Sequence, residues 1–563
     1  MLTVIRDYLN SLDDSKVANN VQGDLWKELR SSFDNEGKFV LPLHLEFDDY
    51  TEHSLGALYA TIPCLPPQIQ SSLDNIFLFT SFESKFRKLF GNRMAFLCSI
   101  KEVEFLEKDG ISVNYGDEQI QVYFCCALII ADNLGFNSIL GFVEGFRGNF
   151  YCRICKLHRT VMEHHCRPVP IPRMRTEVNY AEDLEVGDCS LTGINEQCVW
   201  NEMPSFYCVK IVHCDAMHDI CEGMLKYDLC QVLFNLVSVR GYFSIELLID
   251  RLQGFDYGPN EVGNKPPTCK LSLNCLEKCS WNLSSSEMLC LSRYLGEIVG
   301  DLVPDTNRVW KLYVLVREIV EILSAPYFKK GLDVYLQTLI EEHREMYIVL
   351  FGSLKPKHHL ILRYPEILRR NGPFFAISSL MCERNHRKGK LYTKVCNCRV
   401  NFAHSVAVKS QLALCERLMH PDSFTRNRLK TYGVSNVRID SIANYNSVVA
   451  SLPLHMPGDI VSLAKSVQIY GTLYCIDSIL VVKVGDWLPT IGKIVNIIVK
   501  DCETVIFVTR ILCTLSYVKH ICAFEVVPTN EYLALCQDNI ISYAPLWERR
   551  FSCKSVVSIK QSL

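Results

Sequence analysis

Apolar and polar positions along the chain predict buried strands near its N-terminus. Residues 122–131 form an unbroken apolar run that stops at Asp132, and a run of that length is typical of a strand buried on both faces. Residues 41–47 alternate between apolar and polar side chains, and this period of two predicts a strand that ends in Asp48 and Asp49. Open α/β sheets carry their sites at strand ends. The three acids are therefore candidate site residues, with a simple turn as the alternative for the Asp48–Asp49 pair.

Apolar residues recur with helical spacing in the first 37 residues and from about residue 205 to 350. The second stretch opens with the sequence HCDAMHDICEG, in which Asp215 and Asp219 are one turn apart and can share a helix face. A polar cluster of this kind indicates either functional residues or N-terminal capping with acids placed favourably at the helix dipole. Both interpretations stay open at this point.

The pattern changes after about residue 455. Short β-branched runs alternate with turn residues up to about residue 560, which is typical of a small antiparallel barrel or sandwich. No chemistry-bearing motif stands out there, so a docking or packing role is predicted for this domain.

Composition narrows the class of protein. The chain has 563 residues, 48% hydrophobic and 21% charged, and a formal net charge of -3, which indicates a globular protein of two to four domains. Overall charge does not indicate a nucleic-acid partner, so any basic surface must be local. The apolar run at 122–131 is shorter than the roughly 20 residues of a membrane helix, and no signal peptide is recognised. The 27 scattered cysteines are therefore predicted to be reduced thiols of a cytosolic or nuclear protein.

Two of these cysteines have metal-ligand spacing. Cys152 and Cys155 form a C-x2-C pair, which is half of a tetrahedral zinc site, although chance spacing is credible in a cysteine-rich chain. The residues that the sequence offers to complete such a site are His164, His165, Cys166, His213, Cys214 and His218.

The most basic stretch of the chain lies at residues 353–373, with the sequence SLKPKHHLILRYPEILRRNGP. On a helix these residues suit contacts with phosphates, and a solvated basic face is the alternative. Its basic residues are Lys355, Lys357, His358, His359, Arg363, Arg369 and Arg370. Directly afterwards, Glu383, His386 and Arg387 have the spacing of one helix face.

Seven motifs occur in an order that resembles CACTA (En/Spm)-like transposases and the transposase-derived proteins of animal genomes. They are FDD, GALYATIPCLPP, ADNLGFNSILGF, YCRIC, CDAMHDICEG, LKPKHHLILRYP and CERNH, and the resemblance covers about residues 39 to 420. It implies an α/β fold: an RNase H-like catalytic core interrupted by a large, mostly helical insertion. The small all-β domain would follow this core.

The resemblance also implies the site residues. The catalytic acids of a DDE triad fall on Asp48, Asp132 and Glu383, with Asp49 as the alternative first acid. These acids would hold Mg²⁺ or Mn²⁺ for two-metal phosphoryl transfer. The C-x2-C pair would bind structural Zn²⁺ with His218, and the fourth ligand stays open. DNA contacts are expected at Lys355, Lys357, His358, Arg363, Arg369 and Arg370.

The function expected from the resemblance is cleavage and transfer of DNA strands at transposon ends, in the nucleus, with DNA as the partner and a homo-oligomer as an open alternative to a monomer. A domesticated, catalytically inactive DNA-binding or chromatin-associated protein is the alternative. A third reading is a zinc-stabilised interaction protein. The predicted domains are 1–37 (helical), 38–150 (first part of the core), 151–350 (zinc motif and helical insertion), 351–420 (end of the core), 421–454 (linker) and 455–563 (β domain).

Overall fold

The computed structural model of the protein describes residues 1–50, 55–70, 72–395, 401–420, 429–442, 445–452, 459–485, 488–500 and 504–562. The chain forms two compact units. The first consists of Met1–Met224 and Ile322–Phe424, and the second of Leu225–Glu321 and Thr425–Leu563. About a third of the predicted linker, at residues 421–428, 443–444 and 453–454, lies outside the described residues.

The helices and strands are numbered here in chain order. The described helices are α1 (Leu2–Ser11), α2 (Asp24–Asn35), α3 (Pro67–Gln70), α4 (Ser84–Lys108), α5 (Asn133–Ile139), α6 (Arg159–Met162), α7 (Glu177–Val186), α8 (Cys189–Thr192), α9 (Leu225–Phe234), α10 (Ile245–Gly254), α11 (Leu273–Glu277), α12 (Ser285–Val299), α13 (Arg308–Leu323), α14 (Leu332–Phe351), α15 (Pro356–Ile361), α16 (Tyr364–Asn371), α17 (Leu380–Val395), α18 (Phe402–Leu418) and α19 (Tyr445–Val448). The described strands are β1 (Lys16–Val17), β2 (Phe39–Tyr50), β3 (Leu55–Thr61), β4 (Phe77–Glu83), β5 (Ile111–Tyr115), β6 (Glu118–Ile130), β7 (Phe328–Lys329), β8 (Leu429–Tyr432), β9 (Ser435–Arg438), β10 (Ile460–Ala464), β11 (Ser466–Ile469), β12 (Thr472–Cys475), β13 (Ile479–Lys483), β14 (Thr490–Lys500), β15 (Thr504–Val518), β16 (Ala523–Cys536), β17 (Arg549–Phe551) and β18 (Lys554–Val557).

A five-stranded mixed sheet forms the centre of the first unit. Its order is β4-β3-β2-β6-β5. Strands β2 and β6 are parallel, and the other neighbours are antiparallel. Residues 125–131 are each at most 1% exposed, so the apolar run is buried on both faces, as its pattern predicts. The α/β class of the fold is confirmed.

Helices cover this sheet from sequence-distant parts of the chain. Helix α4 packs on β6, and Phe96, Ile100 and Val103 of this helix join the core of the sheet. Helix α17 packs on β2, and α18 packs on β4. The part of the chain that carries Glu383 therefore belongs to the same unit as the sheet, although a long helical stretch separates them in sequence.

The second unit combines helices α9–α12 and most of α13 with the C-terminal strands. Its larger sheet has the order β17-β18-β16-β15-β14-β10-β9 with β13 beside β14, and a smaller sheet has the order β12-β11-β8. All these described pairs are antiparallel. The predicted C-terminal all-β region is confirmed, and its described strands begin at β8, before residue 455.

Buried polar contacts join the helical and β parts within the second unit. Trp310 donates a hydrogen bond from Nε1 to the carbonyl oxygen of His520 (2.9 Å). The guanidinium of Arg549 lies 3.3 Å from the carboxylate of Glu297. Gly296 approaches the backbone of Ile521 so closely that a Cβ there would lie 2.5 Å from its carbonyl oxygen. The predicted insertion comprises residues 151–350. Of these, Leu225–Glu321 belong to the second unit and pack on its C-terminal strands.

Two general expectations can be compared with the described residues. None of the helices in the described ranges is long and apolar enough to cross a membrane. The cysteines whose side chains are described form no disulfide with one another.

Candidate active site

Parallel pairing of β2 and β6 brings two of the predicted acids to one edge of the sheet. Glu46 pairs with Ile130. Asp48 and Asp132 each follow two residues later, so both lie at the same level of the sheet. Asp48 is still paired with Ala57 of β3, whereas Asp132 lies just beyond the end of β6. Asp132 is close enough for its charge to raise the pKa of Asp48. The edge therefore carries two carboxylates of like charge.

Asp48 lies in an environment that disfavours its charge. Burial raises its pKa to about 7, and the negative charges of Asp132 and Glu383 add to that shift. Its Oδ2 lies 3.2 Å from Nδ1 of His386. Burial lowers the pKa of His386 to about 4, so this imidazole is neutral at pH 7 and does not offset the negative charge. Acids whose pKa is shifted by burial and by like charges are common at functional sites.

The neighbouring Asp49 has different hydrogen-bond partners, because successive side chains of a strand point to opposite faces. Its Oδ1 accepts a hydrogen bond from Oγ of Ser84 (2.6 Å), and its Oδ2 pairs with Nη2 of Arg87 (3.0 Å). Asp49 is therefore satisfied within the protein. Of the two predicted first acids, Asp48 is the one that faces Asp132 and Glu383.

Asp132 also ends the strand and begins the next helix. It is the N-cap of α5, and its Oδ1 accepts a hydrogen bond from the backbone N–H of Gly135 (2.5 Å). A Cβ on Gly135 would lie 2.7 Å from this oxygen, so glycine permits the close approach. The cap fixes the orientation of Asp132 and leaves its second oxygen, Oδ2, outside this capping bond.

Glu383 enters the site from the first turn of α17. Its Oε1 lies 3.3 Å from Nε2 of His218. Burial raises the pKa of Glu383, the charge of His218 opposes this shift, and the charge of Asp132 adds to it. Glu383, Asp132 and Asp48 therefore form one group of interacting carboxylates, drawn from three separate segments of the chain.

His218 is held beside Glu383 by a buried aspartate. Burial lowers the pKa of His218, but the hydrogen bond and the charge of Asp215 outweigh it and raise the pKa to about 9. The protonated ring donates from Nδ1 to Oδ2 of Asp215 (2.6 Å). The backbone N–H of Ser379 donates to the other oxygen of Asp215 (2.7 Å), and Ser379 directly precedes α17. Asp215 thus fixes both His218 and the start of the helix that carries Glu383.

Asp219 supports the same site from the other side. It lies in a π-helical stretch, Met217–Met224, of the kind that is frequent at functional sites. Its carboxylate accepts hydrogen bonds from Nδ2 of Asn133 (2.5 Å) and from the hydroxyl of Tyr364 (3.1 Å). Burial raises the pKa of Asp219 to about 6. Because Asn133 follows Asp132, this contact ties the π-helical stretch to the strand end.

The C-x2-C pair meets a different histidine from the one predicted. The ligand atoms of Cys152, Cys155 and His359 lie within 4.8 Å of one another, and all three residues are buried. Nε2 of His359 lies 3.2 Å from Sγ of Cys155. His218 instead contacts Asp215 and Glu383, so the prediction that His218 completes this group is corrected. Thiolate and imidazole ligands suit Zn²⁺.

Part of the predicted DNA-binding stretch is buried. His358 and Arg363 belong to the core, where the ring of His358 packs on Tyr347 with the centroids 4.6 Å apart. Nζ of Lys357 donates to the carbonyl oxygen of His218 (2.7 Å). Lys355 is exposed. The prediction that these residues form one DNA-binding face is wrong for His358 and Arg363, because the stretch folds into two short helices packed on the core.

The two arginines at the end of the stretch pair with acids of α2. Arg369 contacts the carboxylate of Asp24, and Nη2 of Arg370 lies 3.0 Å from Oε2 of Glu28. These contacts join α16 to α2. Both arginines therefore have partners within the first unit.

Comparisons with known proteins add no assignment. No protein-family model matches the chain, and no curated protein is similar to it in sequence. The chemistry of the site therefore has to be argued from its geometry and from the motifs.

Four of the residues described above are absent from the predicted site residues: Asp215, Asp219, His386 and His359. The sequence indicates either a functional role or helix capping for Asp215 and Asp219. The role of Asp215 as an anchor depends on Ser379, which is distant in sequence. His386 has a sequence signal, because it lies one turn after Glu383 on the same helix. His359 has no signal beyond its place in a basic stretch, since only the tertiary fold brings it to Cys155.

Proposed function

We propose that the protein is a DDE-type transposase, or descends from one, and cleaves and joins DNA strands by metal-dependent phosphoryl transfer. One observation carries the proposal: Asp48, Asp132 and Glu383 come from three distant segments and interact as like charges. Burial raises the pKa of Asp48 and of Glu383, and the like charges of the converging acids add to both shifts. A bound metal ion would offset that unfavourable charge.

The topology supports an RNase H-like core. In that arrangement three antiparallel strands are followed by a helix and by a strand parallel to the first one. Strands β2, β3 and β4, helix α4 and strand β6 occur in this order, with the antiparallel edge strand β5 between α4 and β6 as a departure from it. Fold alone does not imply function, so the proposed catalysis depends on Asp48 near the end of β2 and on Asp132 just after β6.

The three carboxylates fit Mg²⁺ or Mn²⁺ because these ions prefer oxygen ligands. When bound, the ions would supply charge stabilisation and an activated nucleophile. The protein's own contribution is orientation: Asp132 is fixed by its cap on Gly135, and Glu383 by the anchoring of α17 on Asp215. The cationic His218 holds the carboxylate of Glu383 from one side.

The proposal includes structural Zn²⁺ at Cys152, Cys155 and His359. Burial of three soft and borderline donors within 4.8 Å fits this ion, and Nδ1 of His359 has no hydrogen-bond partner among the described residues. Such a site would fix the segment around residue 152 to α15 and would take no part in the reaction. A DNA substrate implies nuclear localisation.

A second candidate function is a domesticated, catalytically inactive DNA-binding protein. The observation that favours it is the pairing of two of the acids with imidazoles: Asp48 with His386 at 3.2 Å and Glu383 with His218 at 3.3 Å. In an inactive descendant these pairs would persist in place of metal coordination.

A cleavage assay separates the two candidates. Purified protein is offered DNA carrying the inverted repeats that flank its coding sequence, with Mg²⁺ or Mn²⁺. The variants Asp48→Asn, Asp132→Asn and Glu383→Gln each remove one carboxylate, and Asp49→Asn is the matched control on the opposite face of β2. We expect each of the first three to reduce cutting more than about a hundredfold, since even outer-shell partners of metal ligands cost roughly 10- to 100-fold.

The control variant should cut at a rate within the range of the wild-type protein, at a temperature where it remains folded. Metal-dependent cutting that all three site variants lose would establish the enzyme. Binding of the repeats without cutting by wild-type protein would establish the inactive DNA-binding candidate instead. Equal loss in Asp49→Asn and Asp48→Asn would contradict the assignment of Asp48 as the first acid.

A further inference from the structure

The first unit contains a cavity of about 240 Å³, which we call the Glu46 pocket after its one lining carboxylate. Most of its lining side chains are apolar, and three of them are the prolines Pro67, Pro326 and Pro373, whose rings cannot move aside by rotation. The volume is that of about eight water molecules at roughly 30 Å³ each. The pocket therefore has room for a flat ligand of one or two rings.

Two polar side chains of the wall can recognise such a ligand. Glu46 is only 5% exposed, and its Oε1 accepts a hydrogen bond from the hydroxyl of Thr61 (3.1 Å). A carboxylate accepts about four hydrogen bonds, so Glu46 can serve Thr61 and a ligand together. Gln70 is half-buried, and its side-chain amide forms no hydrogen bond with the described residues. The pocket thus offers a strong acceptor and an amide donor.

Hydrogen bonds within the protein hold one wall of the pocket in place. Nδ2 of Asn19 donates to the carbonyl oxygen of Pro63 (2.9 Å), and Nδ2 of Asn20 donates to that of Asn371 (2.7 Å). Nε2 of His44 lies 3.3 Å from Oδ1 of Asn20. These contacts fix the wall against the sheet and against α16. The cavity is therefore formed before a ligand enters, as most small-molecule sites are.

The pocket lies on the same face of the sheet as the acid site. Glu46 and Asp48 are two residues apart on β2, so their side chains point to one face about 7 Å apart. Ile377, another lining residue, lies just before α17, the helix that carries Glu383 and packs on β2. A ligand in the pocket would therefore be a close neighbour of a molecule bound at the acids.

These features restrict the chemistry of the ligand. A buried carboxylate repels phosphates and carboxylates, so the enclosed part of the ligand carries hydrogen-bond donors and no negative charge. A small cation would meet Glu46 but would leave the apolar walls uncovered. A nucleobase meets both conditions, because its faces suit apolar walls and its edge carries donors. Guanine presents two adjacent donors, N1–H and the 2-amino group, which match a carboxylate.

We propose that the Glu46 pocket binds one guanine base, with Glu46 accepting from N1–H and the 2-amino group and Gln70 donating to O6. Proteins that act on nucleic acids read bases turned out of the helix in such pockets. The short distance from Asp48 favours a base of the DNA at the acid site, and this choice of source rests on the proposed function. A free guanine nucleoside has the same chemistry and does not depend on that function.

Binding of nucleosides to the full-length protein tests the chemistry without DNA. Inosine is guanosine without the 2-amino group, and isothermal titration calorimetry should show that it binds about tenfold more weakly, as expected for one lost hydrogen bond to a charged group. Glu46→Gln should weaken guanosine binding by about tenfold or more. Glu118→Gln changes an exposed glutamate on the neighbouring strand β6 and should leave guanosine binding unchanged.

Ala18→Leu gives a second test that leaves Glu46 in place. Ala18 lines the pocket and is half-buried, so the larger side chain fills the space meant for the base and should also weaken guanosine binding. Thermal melting reports whether each variant is folded. Equal binding of guanosine and inosine by the wild-type protein would overturn the inference. Unchanged guanosine binding in folded Ala18→Leu protein would overturn it too, and so would binding of methylguanidine as tight as that of guanosine.

DNA binding then identifies the source of the base. Fluorescence anisotropy in Ca²⁺ gives the Kd of a labelled duplex with one extrahelical guanine and of the same duplex with inosine at that position. A guanine preference that Ala18→Leu removes would support a DNA base as the ligand. A preference found with the nucleosides alone would support the guanine pocket and overturn DNA as its source.

Failure of this inference and failure of the proposed function can be told apart. Guanine-specific binding by protein that never cuts DNA in the cleavage assay would support the pocket and refute the enzyme. Metal-dependent cutting by protein that does not distinguish guanine from inosine, in either form, would refute the pocket alone.

Discussion

Asp215 and Asp219 are buried and one helical turn apart, yet replacing each by asparagine should change the stability of the protein by very different amounts. Burial raises the pKa of Asp215, but the hydrogen bond and charge of His218 and the N–H of Ser379 outweigh it, so its pKa lies below the ordinary value. Burial raises the pKa of Asp219 to about 6. The folded protein therefore stabilises the charge of Asp215 and disfavours the charge of Asp219. We expect Asp215→Asn to be much more destabilising than Asp219→Asn.

The magnitude for Asp215 follows from its hydrogen bonds. Oδ2 accepts from Nδ1 of His218 (2.6 Å), from the N–H of His218 (3.1 Å) and from Oγ of Ser379 (2.8 Å). An amide NH₂ in that position accepts none of them and leaves His218 with Glu383, 3.3 Å away, as an acidic partner. Breaking a buried ion pair on one side costs about 3–5 kcal/mol. Because His218 keeps this second partner, the free energy of unfolding should fall by about 3 kcal/mol, the lower end of that range.

For Asp219 the opposing effects nearly cancel. Its pKa is about 6 against an ordinary 3.8, so its charge costs about 3 kcal/mol at neutral pH, at 1.36 kcal/mol per pKa unit. A neutral amide removes that cost and retains one acceptor for Asn133, while the hydroxyl of Tyr364 can rotate to accept from the NH₂. The net change should be within about 1 kcal/mol.

Urea unfolding at neutral pH, followed by far-UV circular dichroism, checks this comparison. Ser379→Ala serves as the control for loss of one hydrogen bond to Asp215 and should cost about 1 kcal/mol. If Asp219→Asn proves as costly as Asp215→Asn, the opposite electrostatic roles assigned to these residues are wrong.

Two further predictions concern the group of Cys152, Cys155 and His359 and an ion pair of the second unit. His359→Ala should lose one equivalent of zinc per chain by elemental analysis, whereas His218→Ala should keep it, and the reverse pattern would restore the ligand set predicted from sequence. In the second unit, burial raises the pKa of Glu261, but the charges of Arg293 and Lys560 outweigh it and lower the pKa to about 2, against an ordinary 4.5. Its contribution of about 3 kcal/mol is present above pH 4.5 and lost as the pH falls towards 2. Glu261→Gln should therefore lower the urea midpoint at neutral pH and much less near pH 3, and an unchanged gap at low pH would refute the pairing.

The strands of the first unit are the part of the fold that the sequence predicts well. The apolar run before Asp132 has one reasonable interpretation, because only a strand covered on both faces removes so many consecutive apolar side chains from water. Period-two alternation likewise predicts β2 and the side of the strand that each residue faces. Because successive residues of a strand face opposite sides, the alternation shows that Asp48 and Asp49 lie on different faces of β2. Which of the two faces the acid site is decided by the position of Arg87, and the hydrophobic pattern does not give that position.

The parts that escape prediction depend on contacts between distant segments. His359 reaches Cys155 only because α15 packs near the C-x2-C loop, and no local signal distinguishes it from His358, its buried neighbour. A basic stretch of sequence shows which residues are charged but not which side chains are exposed. The sequence therefore predicts a DNA contact for Arg363, whose side chain is buried in the core.

The second unit is formed by two segments of the chain, and Ile322–Phe424 of the first unit lies between them in the sequence. This order has a consequence for biosynthesis. Trp310 leaves the ribosome roughly 200 residues before His520, its hydrogen-bond partner, which is about 10–40 s at ordinary translation rates. During that interval the helices of Leu225–Glu321 lack their strands, whereas every residue of the acid group has been made by Phe424. A transcript whose coding sequence ended soon after residue 424 would encode Asp48, Asp132 and Glu383 together with the helices of Leu225–Glu321. Those helices would lack the strands on which they pack and would depend on chaperones.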